Sequence, residues 1–220
     1  MTPAQAAAPG RSARKREAIL EAARTVFLRK GYGGASMDEV AALAAVSKQT
    51  VYKQFADKRS LFTAIVTGDI ETAETLTHDM VATLPDTEDL AKDLRAFARR
   101  HVAEVTQPHL VRLRRLVIAE AERFPELAQS WYANGPERAH ATLAEQFRKL
   151  GRRGLLHMSD PLLAAQHFNW LVLSVPLNTA MFQSEETTFS RRQLNRYADE
   201  GVRVFLAAYG TDPTEGRPSS

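Results

Sequence analysis

Lys48, Gln49, Thr50, Tyr52 and Lys53 fall within six residues, with Val51 among them and no acid. On a helix, Val51 would face inward and the other five would form a surface of hydrogen-bonding groups. Their chemistry is recognition rather than bond-making. Lysine suits guanine O6/N7, glutamine suits adenine N6/N7, and threonine offers a hydroxyl or a methyl to thymine, all in the major groove of DNA. The bland alternative is a solvated polar helix. Other reactive residue types are dispersed. His101 and Glu104 stand three apart, His109, His140, His157 and His167 are scattered, and there is no cysteine. No metal site and no cofactor are therefore expected. No Ser/His/Asp arrangement, glycine-rich phosphate loop after a strand, or paired carboxylates in a recognisable setting occur, so no enzymatic activity is expected.

A reading helix needs supports, and residues 36–55 contain them. Ser36 is an N-cap candidate, with Glu39 completing an S-x-x-E capping box; Ser47 opens a second helix, flanked by Val46 and Val51 at hydrophobic-staple positions. Val40, Ala41, Ala44, Val46 and Val51 suit two steeply crossing helices that share one small core. Upstream, Ile19, Ala22, Ala23, Val26 and Phe27 recur at helical spacing over about 12–30, and Gly31-Tyr32-Gly33-Gly34 stops that helix. Arg11, Arg14, Lys15 and Arg16 form a basic arm, read equally as a phosphate or minor-groove contact or as a solvated helix start. Residues 11–60 carry eleven Lys/Arg against five Asp/Glu, although the whole chain is only +3. That local excess favours an anionic partner.

Asp57 is the N-cap candidate of a long fourth helix whose apolar positions are Leu61, Phe62, Ile65, Val66, Ile70, Ala73, Leu76 and Met80. It reads as a connecting rod ending near Leu84-Pro85-Asp86. Helical segments follow over about 88–106, 108–123, 125–150, 161–183 and 190–209. Glu120 stands in an apolar stripe and needs a partner, most simply an arginine of a neighbouring helix. Pro176 should kink its helix or free a carbonyl. Ser190 with Gln193 is another capping box, and Gly210 marks the end. The final helix carries an apolar stripe containing Gly201, which suits close helix packing within the subunit or between two subunits. The expected fold is all-α. A disordered tail (1–10) precedes a three-helix helix-turn-helix domain (11–56), a helical effector-binding and dimerisation domain (57–210) and a second tail (211–220). Without a secretory signal, membrane span or cysteine, a soluble cytoplasmic protein is expected.

The run G-Y-G-G-A-S-M-D-E-V-A-A-L-A-A-V-S-K-Q-T-V-Y-K-Q-F-A-D-K-R-S-L-F, after an N-terminal helix, resembles the tetracycline-repressor (TetR) family of bacterial transcription regulators. The resemblance covers roughly residues 14–65; beyond it, RLVIAEAERFPELA is similar to one regulator subgroup. It implies a homodimer that binds a palindromic double-stranded DNA operator and is released by a small apolar effector. Ser36 resembles the family's phosphate contact, Lys48, Gln49 and Thr50 occupy base-facing positions, Tyr52 and Lys53 resemble backbone contacts, and Lys58 resembles a phosphate-binding lysine. Phe97, His101, Leu113, Val117, Glu120, Phe124, Trp131, Phe147, Phe168 and Met181 are candidates for the effector cavity, with plain core as the alternative. Trp170, Leu173, Leu177, Tyr197, Gly201 and Phe205 are assigned to the dimer interface. Ala45 departs from the glycine usual at the helix-turn-helix corner, so the turn is expected to adjust. The alternatives are a helical binding or enzymatic module that docks on nucleic acid without specificity, and a regulator with no small-molecule ligand.

Overall fold

The computed structural model describes residues 10–183 and 189–211, excluding the side chains of 71–80. The expected tails (except Gly10 and Thr211), residues 184–188, and the side-chain register of Ala73, Leu76 and Met80 lie outside the described residues. Helices α1 (Arg11–Gly34), α2 (Met37–Leu43), α3 (Lys48–Gln54) and α4 (Lys58–Val81) come first. They are followed by α5 (Leu90–Val105), α6 (Pro108–Ala119), α7 (Pro125–Tyr132), α8 (Arg138–Arg152), α9 (Pro161–Phe182) and α10 (Arg191–Tyr209). Short polar side chains start several of them as the sequence suggests. Ser36, Ser47, Asp57, Asp89, Asp160 and Ser190 each accept a hydrogen bond from a first-turn backbone N–H. The capping boxes of Asp57 with Ser60 and of Ser190 with Gln193 are complete.

The box at Ser36 differs from expectation. Glu39 leaves the helix start and accepts from Lys30 Nζ at 2.8 Å and from Arg29, tying α2 to the end of α1. Those hydrogen bonds, that from Lys30 foremost, hold the Glu39 carboxyl below its ordinary pKa. Gly31 breaks α1 with φ +69°, a backbone that favours glycine. Between α7 and α8 the chain stays helical through Pro136 by widening into a π-helical turn at Ala133–Glu137. Likewise α9 runs on through Pro176, which leaves the Val172 carbonyl without its helical donor.

Two apolar cores result. The first joins α1–α4 through Ile19, Val26, Phe27, Val40, Val51, Leu61 and Phe62, and takes in Leu113, Leu116, Val117 and Phe124 from the α6 region. The second packs α5, α8, α9 and α10 around Leu94, Phe97, Phe147, Phe168, Val172 and Phe205. Gly201 makes the α9–α10 approach possible: a Cβ there would lie 3.0 Å from the Leu171 carbonyl group. Arg99 on α5 clamps Asp199 on α10 through two bonds of 2.7 Å.

Candidate nucleic-acid interface and effector cavity

In α3, Val51 is fully buried beneath the helix, while Lys48, Gln49, Tyr52 and Lys53 are exposed and Thr50 is half-buried. The Ser47 Oγ caps Thr50 N at 3.1 Å and lies 2.8 Å from the Thr50 hydroxyl. Cap and buried valine together set the rotation of α3, turning its polar residues outward. Lys48 does not project freely, because its ammonium pairs with Asp38 of α2 at 2.7 Å. The hydrogen bond that Lys48 donates to Asp38 holds the Lys48 pKa above its ordinary value. At the corner between α2 and α3, Ala45 has φ +52°. The turn therefore keeps the left-handed backbone despite its Cβ instead of adjusting around it, because Val46 N bonds to Ala41 O at 3.1 Å and fixes the corner.

Ser36 stands exposed at the α2 N-terminus, where unpaired backbone N–H groups favour an anion. Lys58 is placed differently from a free phosphate ligand. Its ammonium donates to the Tyr32 and Ala35 carbonyls at 2.9 Å each and sits 4.7 Å from the Tyr32 ring centroid. Carbonyls exposed by the break at Gly31 converge on it, so in this conformation it secures the α1–α2 turn. On the arm, Arg16 lies over the Phe55 ring, and Ser12 accepts from Gln54 at 3.2 Å, docking the start of α1 against α3.

A cavity of about 160 Å³ opens in the C-terminal half between α4, α5, α6, the π turn, α8 and α9. Of the candidates read from sequence, His101, Leu113 and Trp131 line it. The others do not. In the second core Phe97 stacks on Phe168 and Phe147 meets Phe168 edge-on, and Met181 packs against the same core. Val117 and Phe124 belong to the first core, where Phe124 meets Tyr32 at 4.7 Å between ring centroids. Glu120 caps the C-terminus of α6, and among the described residues it pairs with Arg123 in its own turn at 4.0 Å rather than with a neighbouring helix. A helical stripe shows which residues are inward without showing which neighbour they meet.

The cavity's polar wall was missed: Arg114, His140, Asn169, Asn134 and Asp69 all reach it. Burial pushes both His101 and His140 below the ordinary histidine pKa. His101 Nε2 lies 3.0 Å from Asn169 Oδ1, and its Nδ1 is buried without a partner. The one available clue was Asn134-Gly135-Pro136, an irregular step inside a helical stretch.

Most of the assigned dimer residues also need correction. Gly201 and Phe205 are buried inside the subunit, as are the cavity-lining Leu173 and Leu177, whereas Trp170 borders the cavity and is still 47% exposed. Tyr197 is half-buried against Phe189. The apolar face left uncovered by the described residues includes Trp170 and otherwise lies one helical step away. On α9 it comprises Leu163, Leu171, Val175 and Phe182, the last 86% exposed, and on α10 Val204.

A family model described as the C-terminal domain of AefR-like transcriptional repressors matches residues 92–211, more than half the chain. The chain belongs to the TetR family. The model for the N-terminal domain of the bacterial regulatory proteins of the tetR family matches residues 19–65. The TetR-family chain thus has a helix-turn-helix domain, formed by α1–α3, ahead of a helical C-terminal domain. A TetR-family transcriptional regulator from Mesorhizobium loti MAFF303099 is 41% identical over 92% of this chain and all of its own, with TM-score 0.87. The flavonoid-responsive regulator FrrA is 29% identical over 91% of this chain and 98% of its own, with TM-score 0.69. Two curated relatives match only through the DNA-binding part. The transcriptional activator FasR of Mycolicibacterium smegmatis is 39% identical over 57 residues, and the repressor BepR of Brucella suis 40% over 55. Each match spans about a quarter of this chain and of the relative. Among the described residues, no helix is long and apolar enough to cross a membrane, and no group of His, Cys, Asp or Glu is placed to hold a metal ion.

Proposed function

We propose that this TetR-family regulator is a homodimeric repressor that binds a palindromic operator and releases it when a small ligand fills the cavity. The observation that carries the reading is the outward face of α3, whose exposed Gln49, Lys48, Tyr52 and Lys53 stand on a capped helix anchored by Val51. Gln49 and Lys48 read base edges, with the Thr50 methyl at the margin; Tyr52, Lys53 and the Ser36 end of α2 hold phosphates. Two-fold pairing through the α9–α10 face would present α3 twice, in major grooves about 34–36 Å apart. Repression is favoured by the description of the C-terminal family model and by BepR, although FasR is an activator. The similarity to flavonoid-responsive FrrA supports a small-molecule effector.

The cavity has two mechanical links to the reading head. Asp69 and Ile70 of α4 line it, and Asp69 also binds Arg24 of α1. Leu113 of α6 touches the cavity and belongs to the core that holds α1–α4. A ligand that binds better when α4 and α6 are displaced lowers the population of the DNA-competent spacing, by its differential affinity alone. Selection of bound sequences from random DNA tests the reading, with the selected site then titrated with candidate effectors. An inverted repeat is the expected result. Sequence-independent binding with only a steep salt dependence would overturn it and favour a non-specific docking module.

A further inference from the structure

The cavity wall contains a cation that no acid among the described residues neutralises. Arg114 of α6 lies in its wall, half-buried, with its guanidinium 4.7 Å from the Trp131 ring centroid. Among the described residues it has that ring contact and neither a hydrogen bond nor an ion pair. Burial pushes its pKa below that of an ordinary guanidinium, and no acid offsets the effect. The carboxylate in the same wall, Asp69, is already committed to Arg24. Around Arg114 the surface is mainly apolar, with Leu113, Leu173 and Leu177 beside Trp131. The imidazoles of His101 and His140, held neutral by burial, bring no charge.

A desolvated charge without a partner is unfavourable in a folded protein. It is also what a site built for the opposite charge looks like before that ligand arrives. We infer that the cavity ligand is a small aromatic anion, its carboxylate or ionised phenol paired with Arg114 and its ring held among Trp131, Leu113 and Leu173. The inference rests on reading this cavity as the effector site, and it replaces a purely apolar effector with an amphipathic one. A cavity of about 150 Å³ holds benzene, so one of about 160 Å³ takes a single ring, with its acid group directed at the guanidinium. Asn169 and His140 offer hydrogen bonds to any further hydroxyl on the ring.

Matched probes test it on the full chain, by titration calorimetry and by quenching of tryptophan fluorescence. Benzoate is compared with benzamide, and 4-nitrophenolate with 4-nitroaniline, so that each anion has a neutral partner of nearly the same shape. Either anion is expected to bind about tenfold or more tightly than its neutral partner. The pair showing the preference tells carboxylate from phenolate. Arg114→Met should abolish the preference without lowering the melting temperature of the free protein, because it removes an uncompensated charge. Arg114→Lys should keep the preference, whereas Arg114→Gln should abolish it and decides the case should the methionine variant fail to fold. Equal binding of anion and neutral partner, a preference that survives Arg114→Met, or no binding of any probe would overturn the proposal. Operator binding by the same preparations separates the two levels. Intact DNA binding without anion binding removes the anionic ligand and leaves the regulator. Anion binding that leaves operator affinity unchanged keeps the ligand class and removes the effector role.

Discussion

At the scale of single residues, Ala45 and Gln49 illustrate opposite pressures on one short motif. Ala45 carries a Cβ at φ +52°, where a left-handed backbone costs an L-residue on the order of 1 kcal/mol. Ala45→Gly should therefore raise stability by up to about 1 kcal/mol, offset in part by glycine's greater freedom in the unfolded chain. Urea denaturation of both proteins measures the difference, and an unchanged midpoint would mean the corner is unstrained. Gln49 contributes little to the fold, being exposed on α3. Its replacement by alanine should relax base preference at one operator position, by about 1–3 kcal/mol, and leave the melting temperature alone. Equal losses on every sequence would show that it is no reader. Lys58 shows how a side chain can be diverted: its type suits phosphate, yet its ammonium serves the Tyr32 and Ala35 carbonyls.

Elements impose their own constraints. The contact of α10 with α9 depends on Gly201, since a Cβ would meet backbone that has no freedom to retreat. Gly201→Ala should destabilise the C-terminal core by about 1–3 kcal/mol in chemical denaturation, and a neutral result would show that the helices can part at little cost. The α5 helix adds a pH dependence through His101, buried and held neutral with a folded pKa below its ordinary 6.5. Below that ordinary value the unfolded chain binds the proton first, so stability should fall as pH drops from 6.5 toward the lower folded pKa, and should be unaffected by this group above 6.5. His140 acts in the same direction. His101→Gln should flatten the acid limb of denaturant unfolding measured across pH. An acid limb of undiminished steepness would assign it to other groups.

For the whole molecule, the question is which surfaces remain for partners after the two cores have formed. Leu171 and Val175 are exposed on α9, Phe182 at its end and Val204 on α10. Val175→Arg combined with Leu171→Arg should give monomers in sedimentation, with lost affinity for a palindrome but retained helicity. Persistent dimers would place the interface elsewhere. Substituting Gly201 or Phe205 with charge tests folding instead, because both are interior. The cavity lies between α4 and α6, the helices that also enter the first core, so ligand occupancy and reading-head position share the same parts.

Local chemistry was enough to settle the helical class, the helix starts at Ser36, Ser47, Asp57 and Ser190, and the polar face of α3. Each of these depends on residues within a turn or two, where capping bonds and 3.6-residue periodicity operate. Tertiary packing decided the rest. Phe124 and Val117 joined the DNA-binding core, Phe97 and Phe168 filled the second one, and Arg114 was left facing an apolar cavity. An apolar stripe gains about the same free energy from any apolar neighbour, so periodicity cannot name the neighbour. Which helix lies opposite, and hence which residues stay free for ligand, operator or second subunit, emerges only when all the helices compete for the same interior.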